Sequence, residues 1–363
     1  MKRLFTVSKK SQDFERYLDG TFSPTDIALV LETHNLNSLE ESITFEIKKR
    51  DQIVKPNWLQ IILALSKPYK FIYLLFPVLF ILLDFIIHGV EFDQLTTVFS
   101  VVSAVFLFLG INLMSDFRDH LQGFDRVNEN HKSKPIFLGW VRAIRVKQSA
   151  LALIFLSFLL SIPVLIAFPK LLVIVAITGT IIFYSLLKKN KSYRDHLFGD
   201  VFWALLVGPL LSLGMEVAFS GEFQFKYFLF GCVWGILIFF RIQIANFEHI
   251  LSSSLAKVKN LVNYFGFENS KKFLFSIWGL FLLSFSLFQA AFHHWLVWLG
   301  TVLIILFQGY KQFRLLYKLS SPSGSEMKTV NEGLKVLWAT IIMLWLVQIV
   351  FEYLMILAGA NFS

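Results

Sequence analysis

The sequence predicts an all-α, polytopic membrane protein with nine transmembrane helices, and three observations carry that expectation. Hydrophobic residues make up 56% of the 363 positions and charged residues 16%, with a mean hydropathy of +0.63; a soluble domain of this length needs far more polar surface. Nine apolar segments recur, at 71–89, 95–115, 148–168, 171–187, 201–217, 227–245, 273–291, 295–310 and 336–358. Several approach the roughly 20 residues that cross a hydrocarbon core, and the shorter ones cross if their polar ends lie among the headgroups. The connecting loops alternate in charge. Arg118, Arg126, Lys132, Lys134, Arg142, Arg145 and Lys147 crowd 117–147; Lys188, Lys189, Lys191 and Arg194 follow in 188–199; Lys257, Lys259, Lys271 and Lys272 in 246–272; and Lys311, Arg314, Lys318 and Lys328 in 309–333. The intervening turns carry one basic residue or none. The positive-inside rule then places the amino terminus and the four basic loops in the cytoplasm and the carboxyl terminus on the opposite side of the cell membrane.

Residues 1–60 precede the first apolar segment and read as a cytoplasmic extension, since MKRLFTVSKKSQDFERYLDG has no sustained apolar core of the signal-peptide kind. Within it, SPTDIALVLE reads as a helix start, with Ser23 as cap, Pro24 at the first helical position and Asp26 at the capping-box position. NLNSLEESITFEIKKRDQ reads as a second short helix or a strand. The extension is a candidate for binding a protein partner or the membrane surface. Residues 61–363 form the membrane domain. The net charge of +9 is concentrated in topology-setting loops, so it points to membrane lipids and not to nucleic acid. The single cysteine, Cys232, excludes an intramolecular disulfide and a cysteine-rich metal site.

The second apolar segment ends in NLMSDFRDHLQGFD, which sets Asp116, Asp119 and Asp125 directly after a lipid-compatible run. A solvated helix end is the plain reading. The spacing argues for more: if the helix continues, Asp116 and Asp119 share a face, and Gly123 gives the chain a place to turn Asp125 back toward them. Clustered acids at a membrane boundary require protonation, pairing or metal, and hard oxygen ligands suit Mg²⁺, above all beside phosphate. With the basic stretch DRVNENHKSKPI following, a lipid phosphate is indicated. Ion translocation competes, but the acids gather at one boundary and do not line a path through the bilayer. Asp84, Arg241, Gln243 and Asn246 lie within apolar segments, where helix–helix hydrogen bonding is the plainer reading.

SDFRDHLQGFD resembles the first motif of the UbiA superfamily of intramembrane prenyltransferases, Asn-Asp-x-x-Asp followed by a further Asp, with Ser115 at the usual Asn and Asn112 one turn upstream. The step to Asp125 is similar to that of the branch prenylating 1,4-dihydroxy-2-naphthoate in menaquinone synthesis. Lys134 and Pro135 match the basic-Pro segment that follows. In YSLLKKNKSYRDHLFGDVFWALLVGPLLSLG, the residues Tyr184, Ser185, Gly199, Asp200, Gly208, Pro209 and Gly214 match the family's next pattern, with Asp200 for the usual Glu. The second aspartate motif is represented by ANFEHILSSSLAKVKNLVNYFG: Asn246, Phe265 and Gly266 match, while His249 and Ser253 stand at the two aspartate positions.

The resemblance implies a UbiA-like helical bundle that binds a polyprenyl diphosphate and a small aromatic or other lipid-pathway acceptor, as in quinone biosynthesis. It implies Mg²⁺ on Asp116, Asp119 and Asp125, with Glu248 reaching a second ion. Asn112, Lys134, Lys188, Arg194, Asn246 and Glu248 are then expected around the diphosphate, and Tyr184 is expected to steady the cation or a diphosphate oxygen. The alternative is a non-catalytic or specialised homologue that acts through partner or lipid binding.

Overall fold

The computed structural model describes residues 3–127, 134–184, 197–292, 295–322 and 325–357. Residues 3–49 form a small sheet domain. Strands β1 (Arg3–Ser8), β2 (Asp26–His34) and β3 (Ser42–Lys49) pair antiparallel in the order β1-β3-β2. The short helix α1 (Phe14–Asp19) packs Phe14 and Leu18 onto Val7, Ile43 and Phe45. The expected helix over SPTDIALVLE is therefore a strand. Ser23 does cap, since its Oγ accepts from Asp26 N at 3.1 Å and Thr25 N at 3.3 Å, but the cap closes a turn. The β-branched and aliphatic run Ile27–Val30 then zips onto β3, whose alternation buries Ile43 and Phe45. The all-α expectation holds for the membrane domain and fails for this sheet.

The membrane domain comprises α2 (Trp58–Ser66), α3 (Ile72–His88), α4 (Gln94–Leu121), α5 (Phe124–Val127), α6 (Ala143–Ala167), α7 (Leu171–Ile182), α8 (Gly199–Leu205), α9 (Leu211–Ser220), α10 (Phe225–Glu248), α11 (Ile250–Leu255), α12 (Leu261–Phe292), α13 (Trp295–Lys318) and α14 (Ser325–Leu357). Among the described residues, six helices are long and apolar enough to span a bilayer: α4, α6, the kinked α8–α9, α10, α12 and α14. A seventh arises if α2 and α3, bent by 57° at Lys67–Phe71, count as one. This corrects the expectation of nine. The segment 171–187 yields a helix of only 12 residues, α7, and α13 has its apolar run diluted by Gln308, Lys311, Gln312 and Arg314.

Much of the phenylalanine excess resides in one aromatic core. Phe80 and Phe230 stack at 3.9 Å, and Trp345 of α14 sits within about ring-contact distance of Phe76, Phe230, Trp234 and Phe285. On one side of this core, α8–α9 and α10 approach closely. A Cβ on Gly208 would lie 2.6 Å from Gly231 O and from Gly235 Cα. Gly208 and Pro209 break the helix there with a π-turn over Leu206–Leu210, so the small-residue seam lets two backbones meet.

Candidate active site

Helix α4 runs past its apolar stretch to Leu121, so Asp116 and Asp119 remain helical and face inward, both buried. Gly123 at φ +80° then turns the chain, and α5 brings in Asp125, which is fully buried. Lys134 enters among the three carboxylates. Its Nζ lies 3.0 Å from Asp116 Oδ1, 3.3 Å from Asp119 Oδ2 and 2.7 Å from Asp125 Oδ1. Burial acts to discharge this ammonium, but the carboxylates of Asp116, Asp125 and Asp119 outweigh it and hold the amine above the ordinary lysine range. A second cation arrives from α2: Lys67, the left-handed cap of that helix (φ +50°), places Nζ 2.5 Å from Asp116 Oδ1.

Of these groups, Lys67, Asp119 and Lys134 line a cavity of about 480 Å³. Lys67, Lys70, Asp119 and Lys134 face Asp200, Arg241, Asn246, Glu248, His249 and Lys335 across it. Asp200 accepts from Gln243 Nε2 at 3.1 Å and Asn246 Nδ2 at 2.7 Å, which fixes the start of α8 against α10. Glu248 is paired with Lys335 of α14, at 2.7 Å. Ile111 and Trp203 line both this chamber and a second, apolar cavity of about 170 Å³ between α4, α6, α7 and α9. A charged chamber thus adjoins a greasy one, with Ile111 and Trp203 between them.

The structure brings together Asp116, Asp119, Asp125 and Lys134, and puts Asn112, Asn246 and Glu248 on the same cavity. Asn112 donates to Phe108 O of its own helix. Glu248, expected to reach a second ion, lies on this cavity paired with Lys335. Among the described residues no set of three or more carboxylate, imidazole or thiolate groups is spaced as a ready-made metal site. The three aspartates instead share the Lys134 ammonium, a cationic stand-in at the point where hard oxygen donors converge. Their chemistry fits Mg²⁺ completed by phosphate oxygens. Tyr184 is 57% exposed and absent from the cavity wall, as suits an interfacial anchor. Lys188 and Arg194 lie outside the described residues. Asp84, at the other end of α3, takes Lys226 at 2.7 Å and the Tyr227 hydroxyl at 2.6 Å, away from the cavity. Sequence reasoning missed Lys67, Lys70 and Lys335. The signal for Lys335 is a lysine of α14 set directly before the apolar run 336–358.

Residues 74–331, more than half the chain, match the model of the UbiA prenyltransferase family. Among solved structures, a UbiA homologue from Archaeoglobus fulgidus bound to GPP and Mg²⁺ is similar over 80% of this chain and 99% of its own, with a TM-score of 0.55 and 14% identity. A digeranylgeranylglyceryl phosphate synthase is similar over 80% of this chain and 98% of its own, with a TM-score of 0.57 and 18% identity. The apo UbiA homologue from Aeropyrum pernix K1 is similar over 82% and 99%, with a TM-score of 0.54 and 14% identity. No curated protein is significantly similar to the chain in sequence. A match to the family model over most of its length shows that the chain belongs to the UbiA prenyltransferase family.

Proposed function

We propose that this protein transfers a polyprenyl group from a prenyl diphosphate to an aromatic or other lipid-pathway acceptor, with a quinone precursor of the naphthoate type as the nearest match. The observation that carries this reading is the convergence of Asp116, Asp119 and Asp125 on the Lys134 ammonium, at the wall of a charged chamber that adjoins an apolar one. The three aspartates would hold Mg²⁺, which would supply positive charge for the diphosphate. Lys67, Lys70, Arg241 and Lys335 line the same chamber and would meet the remaining phosphate oxygens. As the allylic C–O bond breaks, its electron pair leaves with the diphosphate, and the surrounding ammonium and guanidinium groups stabilise charge where it develops. A new bond forms from the allylic carbon to the electron-rich acceptor, which loses a proton. The apolar walls at Ile111 and Trp203 exclude the water that competes for the cation.

The test is product formation in membranes supplied with prenyl diphosphates, a panel of aromatic acceptors and Mg²⁺. Asp116→Asn or Asp119→Asn lowers turnover by about 100-fold or more, the order expected on removing a group central to electrostatic catalysis. Glu248→Gln lowers it less than about tenfold, because Glu248 answers to Lys335 and not to the aspartates, and Lys335→Ala acts chiefly on the donor KM. A non-catalytic homologue is the second reading, favoured by His249 and Ser253 at the second-motif acid positions. Intact, folded protein that forms no product across the panel establishes it.

A further inference from the structure

We infer that the amino-terminal sheet is a positioning cap for the acidic site, and that Asn37 at its tip ties together the two cytoplasmic turns that flank the charged chamber. Asn35 and Asn37 both adopt left-handed backbone, at φ +52° and +56°, a conformation that asparagine tolerates better than most residues. The β2–β3 turn thereby extends Leu36 and Asn37 onto the membrane domain. Asn37 Nδ2 donates to Gln122 O, just after α4, at 3.2 Å and to Ala256 O, just after α11, at 2.7 Å. Lys257 returns the contact, its Nζ donating to Asn37 O at 3.3 Å. One side chain therefore bridges the turn that carries Asp125 and the turn that ends the second-motif segment.

Packing and charge reinforce that bridge. Leu36 packs with Phe124, Ala256 and Val258. Its seat exists because residue 123 is glycine: a Cβ there would lie 2.5 Å from Leu36 Cδ1. Glu41, 1% exposed, accepts from Arg126 Nη1 at 2.9 Å, from Lys9 Nζ at 2.8 Å and from Asn37 N at 3.0 Å. Arg126 also donates to Leu121 O at 3.2 Å, and His120 meets Leu18 O of α1 at 3.2 Å. A buried ion pair of this kind contributes little net stability but specifies geometry. Phe124 belongs to the Leu36 cluster and lines the chamber as well, and its neighbour Asp125 holds Lys134. Displacement of the Asn37 tip thus passes through one residue to the carboxylate cluster. The consequence of this for turnover, though not the docking itself, rests on the prenyl-transfer reading.

The test uses the intact chain in nanodiscs, with Asn37→Asp as the principal variant. Aspartate keeps the size and left-handed tolerance of asparagine and removes the N–H donors. Hydrogen–deuterium exchange is followed in peptides covering 119–127, 252–258 and strands 26–34 and 42–49, and binding of inorganic diphosphate is measured at fixed Mg²⁺. Exchange rises about tenfold in both turns, the equilibrium effect of one ordinary hydrogen bond or slightly more. The two strands stay unchanged, and diphosphate binding weakens several-fold. Leu36→Ala, which spares the polar contacts, gives the same pattern at smaller amplitude and serves if Asn37→Asp does not fold. Unchanged exchange in the turns, a rise in only one of them, or equal loosening of turns and strands overturns the cap. If intact protein binds no diphosphate, the donor reading falls, while the exchange pattern still decides the cap on its own.

Discussion

Lys134 is the side chain that touches all three buried carboxylates, and its removal is expected to expose what those carboxylates want. Losing one partner of a buried ion pair costs on the order of 3–5 kcal/mol, because uncompensated charge stays behind. Lys134→Met should therefore melt at markedly lower temperature than the intact protein in Mg²⁺-free buffer. If Asp116, Asp119 and Asp125 are a Mg²⁺ donor set, millimolar Mg²⁺ recovers much of that loss by binding only the folded form, and Ca²⁺ or Na⁺ recovers less. A melting point in the variant that ignores Mg²⁺ shows that the cluster serves packing alone. The acidic turn itself was legible from the chain, since a three-residue step on a helix and a glycine before the last acid are local features. Lys67 and Lys335 were not. They reach Asp116 and Glu248 across 49 and 87 residues, and no local period reports which distant helix will deliver a cation.

At the scale of elements, the α8–α9 kink decides whether the two walls of the chamber keep their spacing. Gly208 has φ −100° and ψ −106°, and its missing side chain is what allows α10 to pass. Because α10 carries Gln243 and Asn246, both bound to Asp200, a methyl group at 208 pushes on the chamber wall directly. Gly208→Ala is expected to cost about 1–3 kcal/mol, the range for overpacking a tight contact, and to lower turnover with it. Gly214→Ala is the comparison, since a Cβ there meets only Ile174 Cγ2 at 3.6 Å, and its melting temperature should stay near that of the intact protein. Equal effects at the two glycines would show that the close seam is not what positions α10. The Gly-Pro pair is a local feature of the sequence, since proline removes a helix donor and glycine tolerates the bend. The strand at Asp26–His34 was hidden because a Ser-Pro opening serves a turn as readily as a helix, and only pairing with β3 selects between them.

For the whole molecule, the charge pattern proposes an orientation that the helices alone leave open. Six spans, or seven with the bent α2–α3 pair, are seen among the described residues, while the apolar segments of the sequence number nine. The two counts differ at α7, whose sequence runs on beyond the described residues, and at α13, whose polar second half tempers an otherwise apolar helix. By the positive-inside rule the basic loops 117–147, 188–199, 246–272 and 309–333 are proposed to share one side, with the carboxyl terminus on the other. The cap adds an independent constraint, because the sheet contacts the turns after α4 and α11 and must lie on their side of the membrane. Reporters fused after residue 60, within 188–199 and within 309–333 should therefore report cytoplasm, and those in 218–226 or after residue 358 the opposite compartment. The carboxyl-terminal fusion is decisive. A cytoplasmic signal there, with 309–333 also cytoplasmic, means that α14 enters and leaves by the same face and does not cross the bilayer. A cytoplasmic signal in 218–226 is more damaging, since it turns over α8–α9 and carries Asp200 away from the side on which the sheet holds the acidic turn.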